Sequence, residues 1–221
     1  ITEEDYQNLI DILKRGYTGL SAENNRRLAD TVSYYTVWVH QIKTPIAAMK
    51  LALQNEDAPA ARRLSNELFR IEQYVEMVLT YLRLNADSTD YLIKEYDLDK
   101  IIRRSVKKFA GEFIERKLTL SYTPAEAQII TDEKWLSFVI EQVLSNALKY
   151  TPSGEISVYF ENGRIVIKDT GIGIAAEDLP RIFENGYTGC NGRRDRQASG
   201  LGLYLCRQIC ENLGHKISAE S

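Results

Sequence analysis

Between residues 28 and 53 the side chains Leu28, Val32, Tyr35, Val39, Ile42, Ile46, Met49 and Leu53 follow one another in steps of 4, 3, 4, 3, 4, 3 and 4. A second run, Leu64, Leu68, Ile71, Val75, Val78 and Leu82, steps 4, 3, 4, 3 and 4. Such spacing collects the apolar residues on one stripe of an α-helix and repeats as a heptad. Between the runs lies Gln54-Asn55-Glu56-Asp57-Ala58-Pro59, with Pro59 suited to open the second helix. Two helices joined by a short loop make an antiparallel hairpin. A lone hairpin cannot cover both stripes, so two copies pairing into a four-helix bundle is the expected solution. The alternative is a monomeric hairpin packed on its own C-terminal domain.

Residues 1–20 carry a weaker helical pattern (Tyr6, Ile10, Leu13, Tyr17, Leu20) interrupted by Gly16 and Gly19, and are expected to form a connector. Ser21 is a candidate N-cap for the first heptad helix. The character of the chain changes after Asn85-Ala86-Asp87-Ser88-Thr89-Asp90. The expected organisation is therefore a connector at 1–20, a dimerisation hairpin at 21–90 and a second domain at 91–221. Charge argues against a nucleic-acid surface: 28 Lys and Arg stand against 31 Asp and Glu, a net of −3. Three cysteines (190, 206, 210) are too few for a disulfide framework and suggest a reducing compartment. No apolar run approaches the ~18 residues that span a bilayer. The chain opens at Ile1 rather than Met, so a fragment of a longer protein is expected, with an upstream membrane segment left open.

The second domain reads as a helix over about 98–110, a strand at Lys117–Tyr122, a short strand near Ile129 and a long helix from Asp132 to Tyr150. Ile156, Val158 and Phe160, then Asn162-Gly163, then Ile165 and Ile167, give the clearest hairpin signal in the chain. A helix over about 201–213 follows, and Lys216–Ala219 reads as a final strand. Helices and strands mix without strict alternation, which predicts an α+β sandwich.

A two-residue turn at 162–163 puts Ile165, Ile167 and Asp169 on one apolar, helix-covered face. A carboxylate there needs a donor or suffers desolvation. Thr170-Gly171-Ile172-Gly173 next makes a turn that a flat ligand can approach closely. Asp169 can accept from an exocyclic amine such as that of adenine, or it can simply cap the turn; both readings stay open on these residues alone. Asn146, Lys149 and Tyr150 fall at i, i+3 and i+4 of the long helix, an amide, a cation and a ring on one side. That set fits a metal, phosphates and a ring or sugar edge, and equally fits a solvated helix end. Mg²⁺ on polyphosphate uses one or two protein oxygens, and Asn146 can supply one. Asn185–Ser199, with three arginines (193, 194, 196), reads as a lid or a disordered loop. It leads into Ser199-Gly200-Leu201-Gly202-Leu203 at a helix start, where free backbone N–H groups favour phosphate.

Asn146 within EQVLSNALKY, DTGIG at 169–173, Ile182-Phe183-Glu184 and GLGL at 200–203 resemble the N, G1, F and G2 boxes of sensor histidine kinases. VHQIKTPI at 39–46 is similar to the family's phosphoacceptor box. HQIKTPI and FENGYTGCNGR at 183–193 look most like the intramembrane-sensing kinases that work beside peptide-antibiotic transporters. The resemblance implies a Bergerat-type ATP-binding sandwich after a dimeric four-helix bundle, with ATP and Mg²⁺ as cofactors. Asn146, Lys149, Tyr150, Asp169, Gly171, Gly173, Gly200, Leu201 and Gly202 would bind nucleotide, with Asn146 also on the metal. It further implies a homodimer through 21–90, a response-regulator receiver as partner, an association with a peptide-antibiotic ABC transporter, and the cytoplasmic portion of a cell-membrane protein.

His40 follows seam residue Val39 and so points off the seam. Pro45, inside the same helix, removes a hydrogen bond to the carbonyl of Gln41 and invites a kink. The resemblance makes His40 the phosphoacceptor. Many relatives have an acidic residue after it, whereas this chain has Gln41, which can fix a tautomer without taking a proton; a free imidazole, titrating near ~6.5, is mostly neutral anyway. Gln142 stands where the family normally carries Asn. Thr44 matches the position implicated in dephosphorylating the regulator. The expected function is autophosphorylation of His40 and transfer to a regulator aspartate, with phosphatase activity. A nucleotide-binding scaffold or phosphatase-biased regulator is the alternative, and an ATPase of the wider Bergerat group is disfavoured by the hairpin. Cys206, Cys210 and His215 read as structural.

Overall fold

The computed structural model describes residues 3–53, 59–84, 91–189 and 199–221. The loop at 54–58, the boundary at 85–90 and the arginines of the expected lid lie outside the described residues. The chain divides into two compact units. One holds the first helix and the second helix from Glu67 onward. The other holds residues 90–221 together with Ala58–Asn66.

α1 runs from Glu3 to Leu53 and α2 from Pro59 to Leu84, the first unit holding α1 and the part of α2 from Glu67. α1 passes Gly16 and Gly19 without a break, where the sequence predicts an interrupted connector. A helical glycine costs about 1 kcal/mol but leaves the i→i−4 bond in place, so a long cooperative helix carries through it. The two heptad stripes divide by position. Val39, Ile46, Leu68 and Val75, seven residues apart within each helix, are buried. Val39 and Val75 join Leu79 and Ile42 in one cluster. The other half of the seam, Tyr35, Met49, Leu64, Ile71 and Val78, is 37% to 56% exposed. Lys43 pairs with Glu76 at 2.6 Å and Lys50 pairs with Glu72, so ion pairs between the helices flank Pro45 on both sides. Each pair is partly exposed and contributes little energy, but together they fix the hairpin's register.

The second unit begins with β1 (Lys94–Asp97), then α3 (Leu98–Lys108), α4 (Ala110–Arg116), β2 (Thr119–Tyr122) and β3 (Gln128–Thr131). It continues with α5 (Glu133–Tyr150), β4 (Glu155–Glu161), β5 (Arg164–Asp169) and, after a 3₁₀ turn at Leu179–Arg181, α6 (Gly202–Asn212). β1 and β3 pair antiparallel in a two-stranded sheet. β4 lies between β2, parallel to it, and β5, antiparallel to it. The turn between β4 and β5 has Asn162 at φ 51° and Gly163 at φ 75°, both in the left-handed region that the Asn-Gly pair favours. In the resulting register Ile156 faces Asp169, Val158 faces Ile167 and Phe160 faces Ile165. Ile156 and Val158 are fully buried, as are Leu144 and Leu148 of α5, Phe109 after α3, and Leu205 and Ile209 of α6. α5 packs against α3, α6 and β5 and is the axis of this core.

Two features differ from the sequence pattern. β1 has no clear apolar alternation and owes its strand state to its partner β3, which is distant in sequence. Lys216–Ala219 is not a strand. The C-terminal segment joins no ladder, and Ser221 instead accepts the Ile174 N–H at 2.8 Å through its side chain. Cys206 and Cys210 lie on the buried face of α6, where burial raises both thiols, Cys210 to about 11. His215 contacts the Thr131 hydroxyl at 3.2 Å, and burial lowers its titration.

Asp132 sets where α5 starts. Its Oδ1 accepts the N–H groups of Lys134 (2.9 Å) and Trp135 (3.2 Å), and its Oδ2 accepts that of Leu92 (2.8 Å). The carboxylate is buried, so it caps the helix and anchors the incoming chain at once. Asp132→Ala is expected to lower stability by about 1–2 kcal/mol for the cap alone. Denaturant unfolding followed by circular dichroism reads this directly; a loss under about 0.5 kcal/mol, the low end for a cap, would contradict it.

Candidate functional site

α5 carries the residues singled out in the sequence because its buried face leaves the opposite side partly open. Trp135, Leu136, Val139, Ile140, Leu144, Ala147 and Leu148 face the core, while Asn146, Lys149 and Tyr150 are half-buried. The Lys149 ammonium lies 5.1 Å from the centre of the Tyr150 ring, so the cation and ring expected on one face do meet.

At the C-terminal end of α5 the 169–172 turn is closed by one internal bond and joined to the end of the helix by two. Gly171 N–H donates to Asp169 Oδ1 at 2.9 Å, the Thr151 hydroxyl donates to the same oxygen at 3.4 Å, and Ile172 N–H donates to Tyr150 O at 3.1 Å. A Cβ on Gly171 would fall 2.3 Å from Tyr150 O, 2.8 Å from Asp169 Oδ1 and 2.9 Å from Thr151 Oγ1. Only glycine allows this approach. Gly173, at φ 68°, takes the left-handed conformation that completes the turn.

Asp169 does cap its own turn, and among the described residues both of its bonds fall on Oδ1. The face assignment from the strand pattern holds, since Asp169 lies opposite buried Ile156. The donors expected for it are present as Gly171 N–H and the Thr151 hydroxyl, and the residue is exposed at the end of β5 rather than covered. An exposed, oriented acceptor beside a glycine turn can take a hydrogen bond from a ligand amine.

The glycine pair at 200–202 is built into the start of α6. Gly200 has φ 67°, and its Cβ would sit 2.4 Å from the carbonyl carbon of Gly186. Gly202 is buried, and a Cβ there would lie 2.4 Å from Gln142 Nε2 on α5. Leu201, at the N-cap position, gives the helix no side-chain cap, while its own N–H reaches Ser199 Oγ at 3.3 Å. Among the described residues no side-chain cap bond is made at the N-cap of α6, the arrangement that suits an anion.

α5 links the two ends. Gln142 touches the Gly202 position, Thr151 touches Asp169, and Asn146 lies between them. From 142 to 151 the helix rises roughly 14 Å at ~1.5 Å per residue. Sequence reasoning missed Thr151, whose position at the α5 C-cap before Pro152 was the available signal. It also gave Gln142 no role as the packing wall of Gly202.

In the hairpin unit, His40, Gln41, Thr44 and Pro45 are exposed on α1. Thr44 Oγ1 donates to the His40 carbonyl at 3.1 Å. Its hydrogen is spent on the backbone, so toward a water molecule the hydroxyl oxygen is an acceptor.

A family profile described as "Histidine kinase-, DNA gyrase B-, and HSP90-like ATPase" matches residues 131–221. Sensor histidine kinase YxdK of Bacillus subtilis (strain 168) is 32% identical over 225 residues, covering 99% of this chain and 69% of that protein. The chain belongs to the sensor histidine kinases. The kinase is also 35% identical to sensor histidine kinase GraS of Staphylococcus epidermidis over 229 residues, covering 97% of the chain and 65% of that relative. It spans 57% of sensor protein BceS of Bacillus subtilis, at 31% identity over 189 residues and 83% of this chain. Among solved structures, full-length ShkA in complex with AMPPNP has a TM-score of 0.54 at 21% identity, over 82% of this chain and 41% of that one. That likeness shows the histidine kinase fold. The kinase is thus an ATP-dependent histidine protein kinase with an ATP-binding domain in its C-terminal part. Among the described residues, no helix is long and apolar enough to cross a membrane.

Gly171→Ala tests the turn that the kinase builds around residue 171. The clash is with a backbone carbonyl and cannot be relieved by a side-chain shift, so ATP affinity by calorimetry is expected to fall at least tenfold. Affinity within twofold of the parent would overturn the role given to this contact.

Proposed function

We propose that ATP lies along α5 with its adenine at Asp169 and its phosphates at the Gly200–Gly202 start of α6. The observation that carries this reading is the pairing of an oriented, exposed carboxylate at the C-terminal end of α5 with the start of α6, whose N-cap Leu201 makes no side-chain cap bond, against Gln142 in the middle of the same helix. Gly171 and Gly173 leave room for the flat base, and the first N–H groups of α6 favour the phosphate charge. Lys149 and Tyr150 contribute a cation and a ring edge beside Asn146. The half-buried Asn146 amide is the protein oxygen that fits Mg²⁺ carried on the phosphates, and the ion would spread charge during transfer.

His40 receives the γ-phosphoryl group. An imidazole nitrogen bonds to the γ-phosphorus, the bond to the β,γ-bridging oxygen breaks, ADP leaves, and the ring proton goes to solvent because Gln41 cannot take it. The phosphoryl group then passes to an aspartate of a response-regulator receiver. Thr44, as an acceptor toward water, serves hydrolysis of the regulator's aspartyl phosphate, in which a water oxygen bonds to phosphorus, the aspartyl oxygen–phosphorus bond breaks and inorganic phosphate leaves. The exposed part of the heptad seam is covered by a second copy through residues 21–90, because α2 leaves Leu64, Ile71 and Val78 uncovered at seven-residue intervals and α1 leaves Tyr35 and Met49 uncovered. The chain would be the cytoplasmic portion of a membrane-anchored sensor. The resemblance of its phosphoacceptor and F-box segments supports a peptide-antibiotic transporter as its neighbour.

Incubation with γ-labelled ATP and Mg²⁺ is expected to give an acid-labile, base-stable label that disappears in His40→Ala. Retention of the label in that variant would sink the assignment. Gln41→Glu is expected to leave labelling unchanged or to raise it, and a collapse would contradict the role given to Gln41. For the dimer, Ile71→Glu places a charge in the uncovered stripe and is expected to yield monomers in sedimentation velocity; an undisturbed dimer would point to a different interface.

A further inference from the structure

Asp178 precedes the 3₁₀ turn at Leu179–Arg181 in the N-cap position, yet its side chain makes no cap bond there. The residue is only 5% exposed. Its Oδ1 instead accepts the Tyr187 hydroxyl at 2.5 Å, a short bond of the charge-assisted kind. Arg181 lies 4.3 Å from the centre of the Tyr187 ring and pairs with Glu184 at 3.0 Å, and Tyr187 N–H donates to Glu184 O at 3.2 Å. The ring is therefore held by its hydroxyl, by its face and by its own backbone.

The backbone at Tyr187 bears directly on the phosphate end of the proposed site. Gly186 N–H donates to Gly200 O at 3.1 Å. A Cβ on Gly200 would meet Gly186 C at 2.4 Å, Gly186 O at 2.7 Å and Tyr187 N at 2.7 Å, so the two segments touch backbone to backbone. Gly189 is also in contact, since a Cβ there would lie 2.9 Å from Asp178 Oδ2. At that packing distance Tyr187 cannot shift without moving Gly200, and Gly200 is two residues from the first residue of α6.

We infer that Asp178 and Tyr187 are a positioning pair that sets the Gly200–Gly202 backbone for the nucleotide's phosphates. The pair acts through the Gly186–Gly200 contact, and neither side chain is assigned to touch ATP. The inference rests on the reading of 200–202 as the phosphate end and of Asp169 as the adenine end. It predicts that disturbing the pair changes phosphate recognition and leaves base recognition alone.

Adenosine and ATP with Mg²⁺ separate the two ends when their affinities for the same chain are compared by NMR titration and calorimetry. Tyr187→Phe removes only the hydroxyl and is expected to weaken ATP at least tenfold while adenosine stays within twofold. KM for ATP in autophosphorylation should rise by a similar factor. Asp178→Ser withdraws the acceptor from reach, is expected to give the same fall, and serves alone should the tyrosine variant not fold. An unchanged ratio of ATP to adenosine affinity in a folded variant, or an equal loss for both ligands, overturns the inference. A parent chain that binds neither ligand overturns the underlying site reading instead.

Discussion

The closeness of Gly171 to the end of α5 is the constraint on which the C-terminal domain's chemistry depends. Residue 171 approaches Tyr150 O, Asp169 Oδ1 and Thr151 Oγ1 so closely that a methyl group would overlap all three. That approach lets the turn's own N–H groups reach the Asp169 carboxylate and the α5 carbonyl. The carboxylate is thereby oriented without being buried. A freely rotating aspartate at a strand tip would be a poor acceptor for a single ligand amine, because ordering it would cost rotamer entropy at the moment of binding. Here folding has already ordered it.

The same helix serves a second task at its other turns. Gln142 forms a wall against Gly202, so the start of α6 is placed by contact with α5 just as the Asp169 turn is. The two proposed contact points for a nucleotide are therefore referenced to one rigid element whose inner face is among the best-buried surfaces of the domain. The hairpin unit works by a contrasting principle. Its cluster around Val39, Val75 and Leu79 takes one half of each heptad stripe and leaves the other half uncovered, so its packing is complete only with a further surface.

What could be read from the sequence was what neighbouring residues decide. The heptad stripes, the proline that opens α2 and the Asn162-Gly163 turn all act over a few residues, and each produced the expected element. β1 was illegible because Lys94–Asp97 is a strand only by pairing with β3, which comes after two helices and another strand. Lys216–Ala219 is not a strand for the converse reason: only Ile217 favours the strand state and no ladder is there to join. Gly16 and Gly19 were given too much weight, since helix cooperativity outweighs two unfavourable residues in a helix of this length. At the site, residue types at fixed spacing pointed to Asn146, Asp169 and the glycines. The long-range partners Thr151, Gln142 and the Asp178–Tyr187 pair became visible only once the chain was folded.

Asp132 gives the domain a short leash. One of its oxygens holds the first turn of α5 while the other holds the backbone at Leu92, so the incoming chain and α5 share a single side chain. Tyr91 strengthens the tether by resting against Trp135 and accepting from Asn212 on α6. Tyr91 and Leu92 are thereby pinned to the first turn of α5 and the last residue of α6, so a displacement at these two positions would be felt at both helices.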